Sequence, residues 1–346
     1  MIAYLRSLAN RLLKSNQTEF ENSSLQDLAK LEYVTQVGPA HQKIHNSWDP
    51  GIDITDHFFK MLVNFNPHLP IVPVEHEMAI LDGLRLATQN VVSNAEMVPR
   101  VPSVIPLLLK SLRDENISIQ ELAVLIIRDM SIVAELVKQA NSAQYNQSAP
   151  VTSIENAIAV LGKNNVRFLV TKIAFKPLFN IKSGRYSRVA TPVLWDQSEK
   201  CALAALLLFP RSNDLAFPLF LAALVQNVGY MVMFRLYDQH FPNIPCPVSP
   251  QFVFGFTKIA RELSLSIAKE WELPDEVSLG LNELMHVEEN APRMQLGYLL
   301  FMCMQLSKLR ILINTRQVDE KTAINDDIPP SFARCLRAIN VNSDPP

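Results

Sequence analysis

Apolar residues recur along most of this chain at intervals of three and four, the spacing that lines one face of an α-helix. From Glu75 to Asn90 they stand at positions 78, 80, 81, 84 and 86, which predicts one amphipathic helix. The same reading predicts helices over residues 1–14, Leu25–Val34, Ile54–Phe65, Ile119–Arg128 and Phe252–Trp271, with a last long helix over Ala291–Arg316. Asp129 is expected to cap a helix through about Ala140, and Pro274 to restart one that runs to about Glu283. Ser118 with Glu121, and Thr152 with Glu155, have the spacing of a capping box. In that arrangement the hydroxyl accepts a free backbone N–H and the carboxylate reaches back to the cap. Thr152 would open a short helix that Gly162 ends, and Asn164 or Asn165 would cap the next, to about Lys176. Apolar helices are expected near 192–209 and 215–235.

Proline and glycine divide these runs. Val37–Pro50 reads as a loop, and Asn66–Pro73 and Met97–Pro102 read as extended connections. Asp238–Pro250 carries Pro242, Pro245, Pro247 and Pro250, and is expected to be a loop able to act as a mobile lid. The tail from Gln317 to Pro346 is polar, which predicts a loose end. The most apolar stretches are Ala202–Pro210, Leu215–Val225 and Leu296–Leu306. Each falls short of the roughly 18–20 residues needed to span a bilayer, so buried helices are expected.

Composition narrows the fold class. Apolar residues make up 48% of the 346, enough for a sizeable core. Nine glycines against 23 prolines argue against phosphate-cradling loops and tight hairpins, and favour an all-α fold. A net charge of −2 excludes the basic footprint of a dedicated nucleic-acid binder. Cys201, Cys246, Cys303 and Cys335 form no CxxC pair, which argues against a structural zinc site; Cys201 and Cys303 lie in apolar runs and are expected to be buried free thiols, in a reducing, cytoplasmic setting. Residues 1–14 place Arg6, Arg11 and Lys14 among apolar positions without the core and cleavage site of a signal peptide. A weakly amphipathic helix is expected there, with attachment to a membrane surface as the alternative. The chain has no GxGxxG, GxxxxGK[ST] or GxSxG.

Several segments between 98 and 175 occur together in a telling order. They are Val98–Pro102 (VPRVP), Ser118–Ile127 (SIQELAVLII), Asp129–Ile132 (DMSI), Gln139–Tyr145 (QANSAQY), Val151–Gly162 (VTSIENAIAVLG) and Val166–Leu169 (VRFL). This stretch resembles the HDOD family, the HD-related output domains of bacterial signalling proteins. Their counterparts are LPxLP, SxxELAxxI, DPxL, LxNSAxY, ITSIxxAIxxLG and LRxL. Met130 stands where the family has proline. The resemblance continues more loosely over 176–290, where Val193–Trp195, Leu224–Gly229 and Trp271–Pro274 match LW, an HDIG-like turn and WxLP. It implies a multi-helix HD-like bundle over 96–290. An N-terminal helical region over 1–95, separate or packed on the body, and a helix and polar tail over 291–346 would flank it.

The resemblance also shows what chemistry is missing. Active HD phosphohydrolases hold divalent metal through His, a His-Asp pair and a later Asp, because imidazole and carboxylate together activate a bound water. Here the first of those positions, two residues after Trp195, is Gln197, and the pair is Gln226-Asn227. Near Gly255 stand Phe256, Thr257 and Lys258 instead of a further His, and the Asn282-Glu283 region lacks paired His. Elsewhere, His41 and His45 have helical ligand spacing but lie in a Gly/Pro-bounded loop. His76-Glu77 begins an HExxH that Ile80 ends. Asp53, Asp56, His57, His76 and Glu77 read as ordinary surface groups.

The expected function is therefore non-catalytic, with no metal and no cofactor: a regulatory protein that binds signalling proteins or a small anionic ligand such as a nucleotide. Asn141, Ser142 and Tyr145 of the retained hallmark, with Arg167 and Lys172, would line a ligand or partner surface. Gln197, Gln226 and Asn227 would form the floor of the former metal cleft, or a satisfied polar core. Helix crossing and capping equally explain Asn141, Ser142 and Ala143. The alternative is a metal-dependent phosphohydrolase or phosphodiesterase with a rearranged site.

Overall fold

A computed structural model describes residues 53–68, 72–89, 97–98, 118–127, 130–142, 150–179, 184–209, 215–286, 296–324 and 328–340. The expected helices over 1–14 and 25–34, the loop over 37–50 and most of Met97–Pro102 lie outside them. No strand occurs among the described residues, and the all-α expectation holds. The helices are α1 (Ile54–Leu62), α2 (Val74–Thr88), α3 (Ile119–Ile126), α4 (Met130–Ala140), α5 (Ile154–Leu161) and α6 (Lys163–Phe175), the last followed by a 3-10 turn over Lys176–Phe179. They continue as α7 (Ser187–Leu208), α8 (Ala216–Val225), α9 (Val228–His240), α10 (Pro250–Glu270), α11 (Asp275–Leu284), α12 (Leu296–Asn314), α13 (Glu320–Ala323) and α14 (Pro330–Ala338).

The capping chemistry is visible atom by atom. At Ser118 both halves of the box form: Glu121 N donates to Ser118 Oγ at 3.1 Å, and Ser118 N donates to a Glu121 carboxylate oxygen at 2.8 Å. The second cap falls one residue later than expected. Ser153, extended at φ −112°, ψ 154°, turns its Oγ to the N–H of Asn156, and α5 starts at Ile154. Gly162, at φ 79°, closes α5 and opens α6 in a single residue, a conformation costly to any side chain. No asparagine caps α6; Asn165 instead donates to the carbonyl of Leu161.

One hydrophobic core runs from Ile54 to Ile339. α7 is its axis, packed against α8, α9, α12 and α14. Segments on both sides of the HDOD-like stretch share this core. α1 contributes Phe58, Phe59 and Leu62, each almost fully buried, and the Phe59 ring lies 5.2 Å from that of Phe256. At roughly 1.5–3 kcal/mol per buried side chain, these contacts outweigh the part-buried Lys60–Asp56 ion pair of adjacent turns, since i,i+4 helix pairs contribute under about 1 kcal/mol. Within the polar C-terminal stretch α14 buries Phe332, Cys335 and Leu336, and the expected loose end, 341–346, lies outside the described residues.

The apolar run expected near 215–235 is two helices, α8 and α9, broken at Gln226-Asn227. Taken together, Ala216–His240 is long and apolar enough to cross a bilayer, as is Leu296–Asn314. The length argument against a span therefore fails for these two. Their most apolar windows are 89% and 78% buried inside the protein, the pattern of core helices.

Two ties set the positions of α7 and α9. Asp238, on α9, accepts from the backbone N–H groups of Arg185, Tyr186 and Ser187 at 2.9–3.0 Å and from Ser187 Oγ at 2.6 Å. It thus supplies the anion that an uncapped helix start attracts. The segment expected to be a lid is fastened. Tyr237 Oη donates to the carbonyl of Pro245, Cys246 N donates to Tyr186 Oη, and the Ser249 hydroxyl bonds the buried carboxylate of Glu77. Two tyrosines inside the core and one buried glutamate hold this proline-rich loop down.

Gly229 lets α9 meet α10. A Cβ there would lie 1.9 Å from the Ala260 carbonyl oxygen and 2.7 Å from Ser264 N. Both obstacles are backbone, which cannot swing aside. Gly229→Ala is expected to lower stability by about 3 kcal/mol, read as a shifted midpoint in urea unfolding.

Candidate functional site

Three amides meet where α7 passes the α8–α9 break. Gln197 and Ser198 come from the middle of α7, and Gln226 and Asn227 form the break itself. All four are at most 2% exposed. Gln197 Oε1 accepts from Gln226 Nε2 and from Asn227 Nδ2. Gln197 Nε2 donates to Ser307 Oγ of α12 at 2.7 Å, and that hydroxyl donates to the Met304 carbonyl at 2.9 Å. Asn227 Nδ2 also faces the Leu194 carbonyl at 2.9 Å and Ser198 Oγ at 3.1 Å. From α10, Ser264 Oγ donates to the Gln226 carbonyl at 2.8 Å and accepts from Gly229 N at 2.9 Å.

The remaining residues singled out in the sequence stand elsewhere. Asn141, just past the end of α4, donates to the carbonyls of Val137 and Val151 at 2.9 and 2.8 Å and accepts from Val151 N at 2.8 Å. It clips the exit of α4 to the approach to α5. Ser142 continues that turn through its N–H to the Gln139 carbonyl, and Tyr145 lies outside the described residues. Arg167 and Lys172 are both on α6, but five residues apart, so they point roughly 140° apart around the helix. The Arg167 guanidinium lies over the Phe217 ring at 4.7 Å, and Lys172 pairs with Glu199 at 3.1 Å.

In the N-terminal part, Asp53 caps α1 through Asp56 N, and His57 Nδ1 lies 2.8 Å from the Asp53 carbonyl. Glu77 is buried rather than a surface group, held against Ser249. His41 and His45 lie outside the described residues.

The model of the HDOD domain family matches residues 98–283, more than half of the chain. The chain belongs to the HDOD family. A Treponema pallidum protein of uncharacterised role is 19% identical over 240 residues, which are 65% of this chain and 45% of that protein. The chain thus spans under half the length of that curated relative. Among solved structures, a Shewanella amazonensis protein named as a metal-dependent phosphohydrolase superposes with a TM-score of 0.54 at 19% identity, covering 77% of this chain and 98% of that one. A Marinobacter aquaeolei protein named as a signal transduction protein gives 0.50 at 18% identity, covering 82% and 63%. Likeness at this identity establishes the shared fold.

Does the amide cluster of this HDOD protein suit the metal of HD phosphohydrolases? The donor chemistry says no. Amide oxygens carry no charge to offset a dication, and catalytic transition metals favour imidazole and carboxylate. Gln197 Oε1 already accepts two N–H groups, which use both its lone pairs. Among the described residues no three His, Cys, Asp or Glu side chains come together.

Sequence reasoning found the three amides but missed their partners Ser198, Ser264 and Ser307. A signal existed for Ser264: it falls at helical spacing in the buried stripe Phe256, Ala260, Leu263, Ile267. A small polar residue in such a stripe marks a buried acceptor nearby. Cys201 and Cys303 are free and buried, as expected, and so are Cys246 and Cys335. Desolvation pushes the Cys335 thiol up to about 12 and raises the other three.

Two measurements follow from this geometry. Asn141→Ala is expected to cost roughly 1–2 kcal/mol in urea unfolding, and Asn141→Asp at least as much, because it keeps the acceptor for Val151 N but sets a carboxylate oxygen against the Val137 and Val151 carbonyls. All four thiols are expected to stay unreactive toward a disulfide reagent in the native protein and to react together once it is denatured.

Proposed function

We propose that this HDOD protein is a non-catalytic regulator in bacterial signal transduction, which recognises a partner protein or a small anionic ligand. The observation that carries this reading is the state of the position where the resemblance expects metal ligands. Amides occupy it, buried and hydrogen-bonded to one another, so nothing there can lower the pKa of a water or polarise a phosphoryl oxygen. The HD-related fold is kept while its reactive side chains are replaced. That combination suits a domain retained for its shape and surface. Arg167 on α6 and the turn at Asn141-Ser142 remain the residues proposed to meet an anionic ligand or partner, whereas Lys172, which faces the other way and pairs with Glu199, stands outside that contact. Gln197, Gln226 and Asn227 would hold up that surface from within.

The test uses the full chain. Phosphomonoester and phosphodiester substrates with added Mg²⁺, Mn²⁺, Zn²⁺ or Fe²⁺ are expected to give no turnover above buffer. In a thermal-shift screen, a nucleotide or cyclic dinucleotide that binds the native state raises Tm, by an amount equivalent to about 2.7 kcal/mol at a hundredfold excess over Kd. Arg167→Ala is expected to abolish such a shift. Metal-dependent turnover that a chelator removes would overturn the proposal.

A further inference from the structure

The hydrogen bonds at the α7 crossing have a direction. They end on main-chain carbonyls, which can only accept: Leu194 on the Asn227 side and Met304 beyond Ser307. Those two ends dictate every amide between them. Asn227 must present its NH₂ to Leu194. Gln197 must then present its oxygen to Asn227 and its NH₂ to Ser307. Gln226 must present its NH₂ to Gln197. The centre of the cluster is therefore lined by N–H groups converging on one oxygen, a polarity that repels a cation. Gln226 Oε1 is left without a hydrogen bond among the described residues. A single neutral carbonyl oxygen of this kind is too weak a donor to recruit a metal.

The same bonds join four separate parts of the bundle. Gln197 belongs to α7, Gln226 and Asn227 to the α8–α9 break, Ser307 to α12, and Ser264 ties the break to α10. We propose that this amide chain is a structural joint, which links four helix segments as a bound ion would and leaves no seat for an ion at the α7 crossing. The proposal rests on the non-catalytic reading and adds to it what the amides at the former metal position do: they hold the helices together.

Stability and metal content test this in the full-length protein, in chelator and then with excess Mn²⁺ or Zn²⁺. The wild type is expected to melt at the same temperature in both and to take up no metal. Gln197→Met keeps the volume but strands the donors of Gln226 and Asn227, and is expected to lower Tm by roughly 5 °C or more. Asn227→Asp sets a carboxylate against the Leu194 carbonyl and the Gln197 oxygen, and is expected to lower Tm with no recovery on adding metal. A Gln197→Met protein as stable as wild type would overturn the joint. So would stoichiometric metal uptake that restores the Asn227→Asp protein. These outcomes are independent of turnover: an active wild type sinks the non-catalytic reading, whereas metal rescue of a variant sinks the joint alone.

Discussion

A side-chain amide taken out of water must have its donors and its acceptor answered inside the protein, or the fold loses a few kcal/mol for each group left over. At Gln197 the answers come from an α8–α9 break some thirty residues along the chain and from a serine on α12, more than a hundred residues along. The rest of the architecture follows from meeting that demand. α8 and α9 break so that two amides can face α7. α9 crosses α10 closely enough, through Gly229, for Ser264 to reach the backbone of the break. A polar requirement thus organises the most apolar part of the bundle.

The HDIG-like turn separates two roles that a single motif usually combines. Its glycine is a matter of backbone clearance, and this chain keeps it at 229. Its first two positions are a matter of chemistry, and here they are Gln226 and Asn227. The fold survives because the clearance survives. At those two positions the amides join the buried location by hydrogen bonding. This is also why likeness of fold to a protein named as a phosphohydrolase leaves the activity of this chain as a separate question.

Much of the fold was legible because it rests on local rules. The helix predicted over Glu75–Asn90 and the capping box at Ser118 depend on residues within a few positions of each other, and both formed, although Met78 of the predicted stripe faces solvent and Glu77 is buried instead. The departures come from long-range contacts. Asp238 caps a helix that starts fifty-one residues before it, which no local pattern announces. The proline-rich loop reads as mobile in sequence but is pinned by Tyr186, Tyr237 and Glu77 from three other segments. The tail looked polar because α14 is short and strongly two-faced, with Phe332, Cys335 and Leu336 inward. At the candidate site the three amides were found from the resemblance, but their mutual bonding needed the third dimension. Arg167 and Lys172 were close in sequence and face different ways.

The carboxylate of Asp238 also bears on how this chain becomes folded. While it is being made, α7 is complete at residue 208, yet the anion that closes its first turn arrives only thirty residues later. Until then the start of the longest helix has its amides answered by water alone. A polypeptide stopped before 238 lacks that cap, so the first turn of α7 is closed only once most of α9 has been made.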